Sequence, residues 1–224
     1  MGYYIDLEKI SIEKYKEKLK SAYLPPSRMI LKDNTDVIFN HFSNIGIRNA
    51  KELISLLKKK ESFAELQNAN CLSTHYLTIL LRELKSTLPK PNKIKDFKDV
   101  SENMTLALEK IGIMNTLKLY EHVLSIKARK ELALKIGVSE MEILKLTKLT
   151  DLSRIKWVGV TFARMLYDLG IDTVEKASEA NPIELHKQIN QLNKDQKIYK
   201  GQIGLNDIKI FVNAAKEVPV EIKY

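Results

Sequence analysis

LYDLGIDTVEKA (residues 166–177) is the third appearance of one pattern, after FSNIGIRNAKEL (42–53) and LEKIGIMNTLKL (108–119). In each string an apolar residue stands four positions before a glycine, and an isoleucine follows that glycine. This spacing describes a helix end. Gly46, Gly112 and Gly170 suit the left-handed residue that closes a helix, and the isoleucine folds back over the last turn. A new helix then starts at once. Asn49 with Glu52, and Asp172 with Glu175, have the spacing of an N-cap and its acidic partner.

The matching extends on both sides. ELQNANCLSTHYLTIL (65–80) and ELALKIGVSEMEILKL (131–146) keep the 66-residue offset that separates Gly46 from Gly112. A constant offset over about 40 residues marks an internal repeat. The third copy keeps ELHKQIN, carries an insertion containing LNKDQKIYKGQ, and resumes as GLNDIKIFVNAAKEV (204–218). Ser73, Ser139 and Asn206 fall at equivalent places, each suited to capping the next helix. Before the glycine strings, KDFKDVSENMTLALEKIG (95–112) parallels SRIKWVGVTFARMLYDLG (153–170), so Ile94, Phe97 and Val100 stand where Leu152, Ile155 and Val158 stand. SRMILKDNTDVIFNHFSNIG is the more diverged counterpart in the first copy.

A short amphipathic helix with Ile12, Tyr15 and Leu19 on one face precedes the repeats and stops at Pro25-Pro26. The reading is an all-α chain: residues 1–26 as helix and leader, then helical repeats at 27–92, 93–150 and 151–224. Such units are too small to bury their faces singly and are expected to share cores. Pro89 and Pro91 make residues 86–93 the linker candidate, with two lobes dividing there.

The 224 residues, 44% hydrophobic and 29% charged, have the balance of a folded globular protein. No apolar run reaches the roughly 20 residues of a membrane span, and MGYYIDLEKI lacks the layout of a signal peptide. One cysteine, Cys71, excludes an intramolecular disulfide or a thiolate metal cluster, and a reducing cytoplasm is expected. Its plain reading is a small semi-buried residue, set against a reactive thiol. The net charge of +9 makes nucleic acid the natural partner. The alternative is a composition rich in Lys, Ile and Asn that reflects an AT-rich genome. By repeat the net charge runs +1, +4, +3 and +1 from leader to third copy, so no basic tail stands out. The run at Lys58, Lys59 and Lys60 is explained by a helix C-terminus, where cations suit the dipole.

The segment IKWVGVTFARML (155–166) looks like a helix-hairpin-helix element, patterned apolar-x-Gly-apolar-Gly-x-x-x-Ala. In that family hairpin amides and the positive end of the second helix hold a nucleic-acid phosphate without reading bases. Matched positions here are Lys156, Trp157, Val158, Gly159, Val160, Thr161 and Arg164, with Lys194, Lys197 and Lys200 as further basic candidates. Ala163 lets two helices cross closely, Phe162 and Leu166 form the core face, and Arg164 falls outside. Two departures bear on the reading. Trp157 replaces the first hairpin glycine, either blocking a phosphate or packing on a neighbour, and Thr35 and Ser101 replace Gly159 in the other copies. The hairpin therefore serves either phosphate binding or the plain joining of two packed helices.

The whole chain resembles a bacterial domain-of-unknown-function family built from tandem helix-hairpin-helix-like repeats. The resemblance is carried by YYIDLEKISIEKYKEKLKSAYLPPSRMILKDN, LPKPNKIKDF and DLSRIKWVGVTFARMLYDLGIDTVEKASEANPIEL. It implies three tandem units of that kind and an association with nucleic acid, but no known activity.

Nothing in the chain has the spacing of an enzyme centre. His41, His75, His122 and His186 are dispersed, and no paired-carboxylate, phosphate-loop or nucleophile-elbow pattern occurs. No catalytic residue, metal or cofactor is expected. Trp157 and the tyrosines are candidates for stacking on bases or for core positions, with Tyr199 the most exposed candidate. The leading expectation is non-enzymatic, largely sequence-independent nucleic-acid binding, DNA first. The alternative is a helical adaptor that binds protein and uses the hairpins only as joints.

Overall fold

The computed structural model describes residues 2–59, 61, 65–66 and 72–224; Cys71 and Lys60 lie outside them. The described residues are helical with no strand. The chain divides into two compact units, one of Ile5–Leu88 and the other of Pro89–Tyr224 with the N-terminal residues through Tyr4. The boundary falls at Pro89.

In the smaller unit, a 3-10 turn at Leu7–Lys9 and a longer 3-10 helix at Pro26–Lys32 flank α1 (Ile12–Ser21). α2 (Thr35–Asn44), α3 (Ala50–Lys58) and α4 (Thr74–Ser86) follow. Tyr15, Leu31, Phe39, Phe42, Leu53 and Leu77 lie in its core. The larger unit opens with a 3-10 turn at Ile94–Asp96, then α5 (Glu102–Lys110), α6 (Thr116–Tyr120), α7 (Ile126–Ile136) and α8 (Glu140–Leu152). It continues with α9 (Val160–Asp168), α10 (Val174–Glu179), α11 (Pro182–Gln196) and α12 (Leu205–Ala215). Residues 93–150 and 151–224 do not make separate cores. Ile94, Leu108, Leu146, Ile155, Leu166 and Phe211 belong to one apolar cluster.

The three glycine turns share one geometry. Gly46, Gly112 and Gly170 have φ of +88°, +82° and +78°. The amides of Ile47, Ile113 and Ile171 reach back to the carbonyls of Phe42, Leu108 and Leu166 at 3.0, 2.9 and 2.9 Å. That six-residue return satisfies a carbonyl the helix end leaves open. The next helices are capped by Asn49, Asn115 and Thr173, whose side-chain oxygens accept from Glu52, Lys118 and Lys176 amides. Thr173, not Asp172, is thus the third cap. Asp172 stands one residue earlier, and its carboxylate takes Lys148 and Lys176 instead. Ser73 and Ser139 cap α4 and α8 as their spacing predicts. Asn206 does not cap α12. That helix starts earlier, at Gly204, whose N–H donates to the Asp207 carboxylate at 2.9 Å.

The residue four past each glycine shows where the turns part company. The amides of Ala50 and Thr116 donate to the backbone carbonyls of Ile10 and Asn92, both at 2.9 Å. Val174 donates instead to the Asp151 carboxylate, also at 2.9 Å. Asp151 is buried at the end of α8 and paired with Arg154 at 2.7 Å. The Arg154 guanidinium also donates to the carbonyls of Tyr3 and Pro219 at 3.2 and 2.8 Å, and lies 4.7 Å above the Tyr120 ring. Tyr224 closes the cluster, its hydroxyl donating to Asp151 at 3.1 Å. Burial pushes the Tyr3, Tyr120 and Tyr224 phenols above their ordinary range, so they remain neutral donors. The irregular stretch 219–224 is thereby tied to the residues that open the 155–166 hairpin.

Candidate nucleic-acid interface

α8 leads into the hairpin through two tight turns: Ile155 N–H donates to Leu152 and Val158 N–H to Ile155, both at 3.1 Å. Fifty-eight residues earlier the backbone does the same. Phe97 donates to Ile94 and Val100 to Phe97, at 3.1 and 3.2 Å. Ile94, Phe97, Leu152, Ile155 and Val158 are all buried, so one apolar spacing shapes both segments. Trp157, where the hairpin pattern carries its first glycine, takes the glycine-like backbone with φ of +65°. A bulky residue held there costs about 1–2 kcal/mol. The indole is 45% exposed and the Lys156 ammonium sits 4.3 Å from its centroid, a cation–π contact.

The start of α9 is the position where the copies diverge chemically. Ser101, equivalent to Gly159, turns its hydroxyl onto the Met104 amide and caps α5 itself. In the smaller unit α2 is preceded by Asn34 at φ +50°, and the Thr35 hydroxyl bonds back to Leu31. Gly159 has no side chain to offer, and α9 begins with no side-chain cap. Its first amides keep the partial positive charge of a helix start.

Val160 and Thr161 stand between two depressions. The smaller, about 250 Å³, is lined by Asp96, Lys98, Asp99, Arg164 and Lys197 among others. Arg164 is engaged there, with Asp99 at 3.0 Å and Asp168 at 3.5 Å. The larger, about 510 Å³, is lined by Lys156, Trp157, Phe162, Met165, Tyr199 and Phe211, with Asp96 and Asp207 among its polar residues. Phe162 is half-buried and meets Phe211 edge to face at 5.2 Å, forming the floor. Of the sequence candidates, Lys156, Trp157, Gly159, Val160 and Thr161 converge on this cleft. Val158 is buried and does not line it. Lys197 lines the smaller depression, while Lys194 and Lys200 line neither.

Four residues with no motif of their own hold this arrangement. Asn92 donates through Nδ2 to the Val158 carbonyl at 3.3 Å and to Ser153 Oγ at 2.9 Å, fastening the segment before α5 to the hairpin. On α11, His186 Nε2 lies 3.0 Å from the Ile203 carbonyl, which also accepts from Asn190 at 3.2 Å. Asn193 grips Tyr199 on both sides, accepting from its N–H at 2.7 Å and donating to its carbonyl at 2.9 Å. His186, Asn190 and Asn193 are spaced four and three apart, one face of a helix. That spacing was legible; its target, the insertion loop 197–203, was not. His41 and His75 lie on α2 and α4 and His122 in the turn after α6, and no group of three His, Cys, Asp or Glu among the described residues is placed to hold a metal. No described helix is long and apolar enough to cross a membrane.

The molecule is therefore an all-helical protein with an aromatic cleft beside a helix start that no side chain caps. Residues 98–218 match the family described as Domain of unknown function (DUF4332), and the chain belongs to it. The match covers α5 to α12 and leaves out the Ile5–Leu88 unit. No curated protein and no solved structure matches the chain.

Proposed function

We propose that this chain is a non-enzymatic, largely sequence-independent nucleic-acid binder, with DNA the first candidate, built from three helix-hairpin-helix-like units of which the third makes the contact. The observation that carries the reading is the start of α9. Gly159 leaves its amides without a side-chain cap, where the equivalent Ser101 spends its hydroxyl on capping. Lys98 and Lys197 line one side and Lys156 the other, so a phosphate at Val160–Thr161 meets both amide dipoles and ammonium groups. Contacts of this kind position a backbone and read no base.

Arg164 favours a second reading. Its charge is already met by Asp99 and Asp168, as suits a protein-binding adaptor with a purely structural hairpin. Fluorescence anisotropy of labelled DNA and RNA at two salt concentrations separates the two. With about three phosphate contacts on a single strand, affinity falls roughly 10- to 20-fold between about 50 and 200 mM salt. No binding at the lower salt leaves the adaptor.

A further inference from the structure

We infer that the cleft beside α9 takes an unpaired base, which makes the protein a binder of single strands in preference to duplexes. This rests on the phosphate reading above and adds the substrate class to it.

Two aromatic rings 42 residues apart in sequence, Trp157 and Tyr199, line one cleft, 45% and 48% exposed. Both are held there at some cost or by dedicated contacts. Trp157 keeps a left-handed backbone. Tyr199 sits in an insertion the other copies lack, with its N–H and carbonyl both bonded to Asn193. Gly201 makes room for its ring: a Cβ at that position would lie 2.6 Å from the ring edge. His186 and Asn190 fix the far side of the same loop at Ile203.

Chemistry of the lining selects the occupant. The floor is apolar, with Phe162, Met165, Ile203 and Phe211, and the volume of about 510 Å³ is in the range of small-molecule pockets. Lys156 and the first turn of α9 bring positive charge to the same cleft, while Asp96 and Asp207 also line it and repel phosphate. A ligand that suits all three features joins a flat apolar ring to an anion and enters ring first. A nucleotide of a single strand does so. Bases in a duplex are stacked and paired, and cannot reach the floor without being extruded. Stacking on an aromatic side chain strengthens binding by roughly tenfold or more per base and tolerates any sequence.

The test uses the full chain, a labelled single strand of about a dozen nucleotides, and the same strand annealed to its complement. Trp157 is the sole tryptophan, so its emission reports the cleft directly. The expected result is roughly tenfold tighter binding of the single strand, with quenching of Trp157. Tyr199→Ala should bring single-strand affinity down to the duplex level, Tyr199→Phe should retain it, and neither should move duplex affinity. Equal, salt-sensitive affinity for both forms without quenching overturns the base site and leaves the phosphate reading standing. No binding of either form at low salt overturns both. Quenching by an acidic, aromatic peptide but by no oligonucleotide assigns the cleft to a protein partner and overturns it too.

Discussion

Arg154 is 2% exposed, and all three nitrogens of its guanidinium have partners: Asp151, the Tyr3 carbonyl and the Pro219 carbonyl. Truncating one member of a buried pair costs more than the pair contributes, because the other charge is left without compensation. Arg154→Met should therefore destabilise the larger unit by about 3–5 kcal/mol, read as a lower urea midpoint. A midpoint within error of the parent would mean that Asp151 is served well enough by Val174 and Tyr224 alone. Asp172 gives a case with a pH signature. Burial raises its pKa, but hydrogen bonds from Lys148 and Lys176 outweigh that and hold the carboxyl below its ordinary range. A depressed folded value means the stabilisation is present above the unfolded pKa, near 4, and is lost as pH falls toward the lower folded value. Asp172→Asn should cost about 1.5–3 kcal/mol at neutral pH, the range for charged hydrogen bonds. The gap to the parent should close as urea unfolding is repeated from about pH 5 downward. A gap that is constant or widens on acidification contradicts the assignment.

Helix ends carry both the fold and the proposed site, and they separate by what sits at the cap. Gly112 has φ of +82° and open space where a Cβ would stand, so Gly112→Ala strains only the backbone and should cost about 1–2 kcal/mol. Gly159 has an ordinary φ of −87° and equally open surroundings, so a side chain fits without strain. Gly159→Ser recreates the Ser101 cap on α9. Stability should rise by about a few tenths of a kcal/mol, while nucleic-acid affinity falls several-fold because the hydroxyl occupies an amide meant for phosphate. Thermal melts and anisotropy on one preparation check both halves. Tighter or unchanged binding removes α9's first turn from the interface. The ends also mark what spacing reveals. A six-residue return or a cap three residues from its amide is local, so the glycine strings, Ser73 and Ser139 were readable. Asp172 misled because its neighbour Thr173 takes the cap, and Asn206 because α12 starts two residues earlier at Gly204, whose N–H the Asp207 carboxylate accepts. The Asn92–Val158 bond spans 66 residues and leaves no trace in any spacing.

Across the molecule, repetition in sequence and division in space do not coincide. Three glycine strings suggest three alike units, yet the second and third copies contribute to one apolar cluster while the first packs with α1 and Pro26–Lys32. The difference lies in the partner of each turn. The first two bond to the backbone of a preceding segment, and the third to the buried carboxylate of Asp151, at the end of the helix α8 that runs from copy two into copy three. Local periodicity cannot report that bond, whose residues stand 23 positions apart, but Pro89 and Pro91 did mark where the two lobes divide. Two cores predict two cooperative blocks of stability. Leu77 is fully buried in the smaller unit, and Leu77→Ala should cost about 2–5 kcal/mol there. In native-state hydrogen exchange, amides of α1 to α4 should lose protection by that amount, while those of α5 to α12 keep theirs. Since the proposed contacts all lie on the larger unit, binding measured below the variant's melting temperature should be unchanged. Protection lost evenly across both units would show that the cores unfold as one, and the cleft's integrity would then depend on a core that contributes no residue to it.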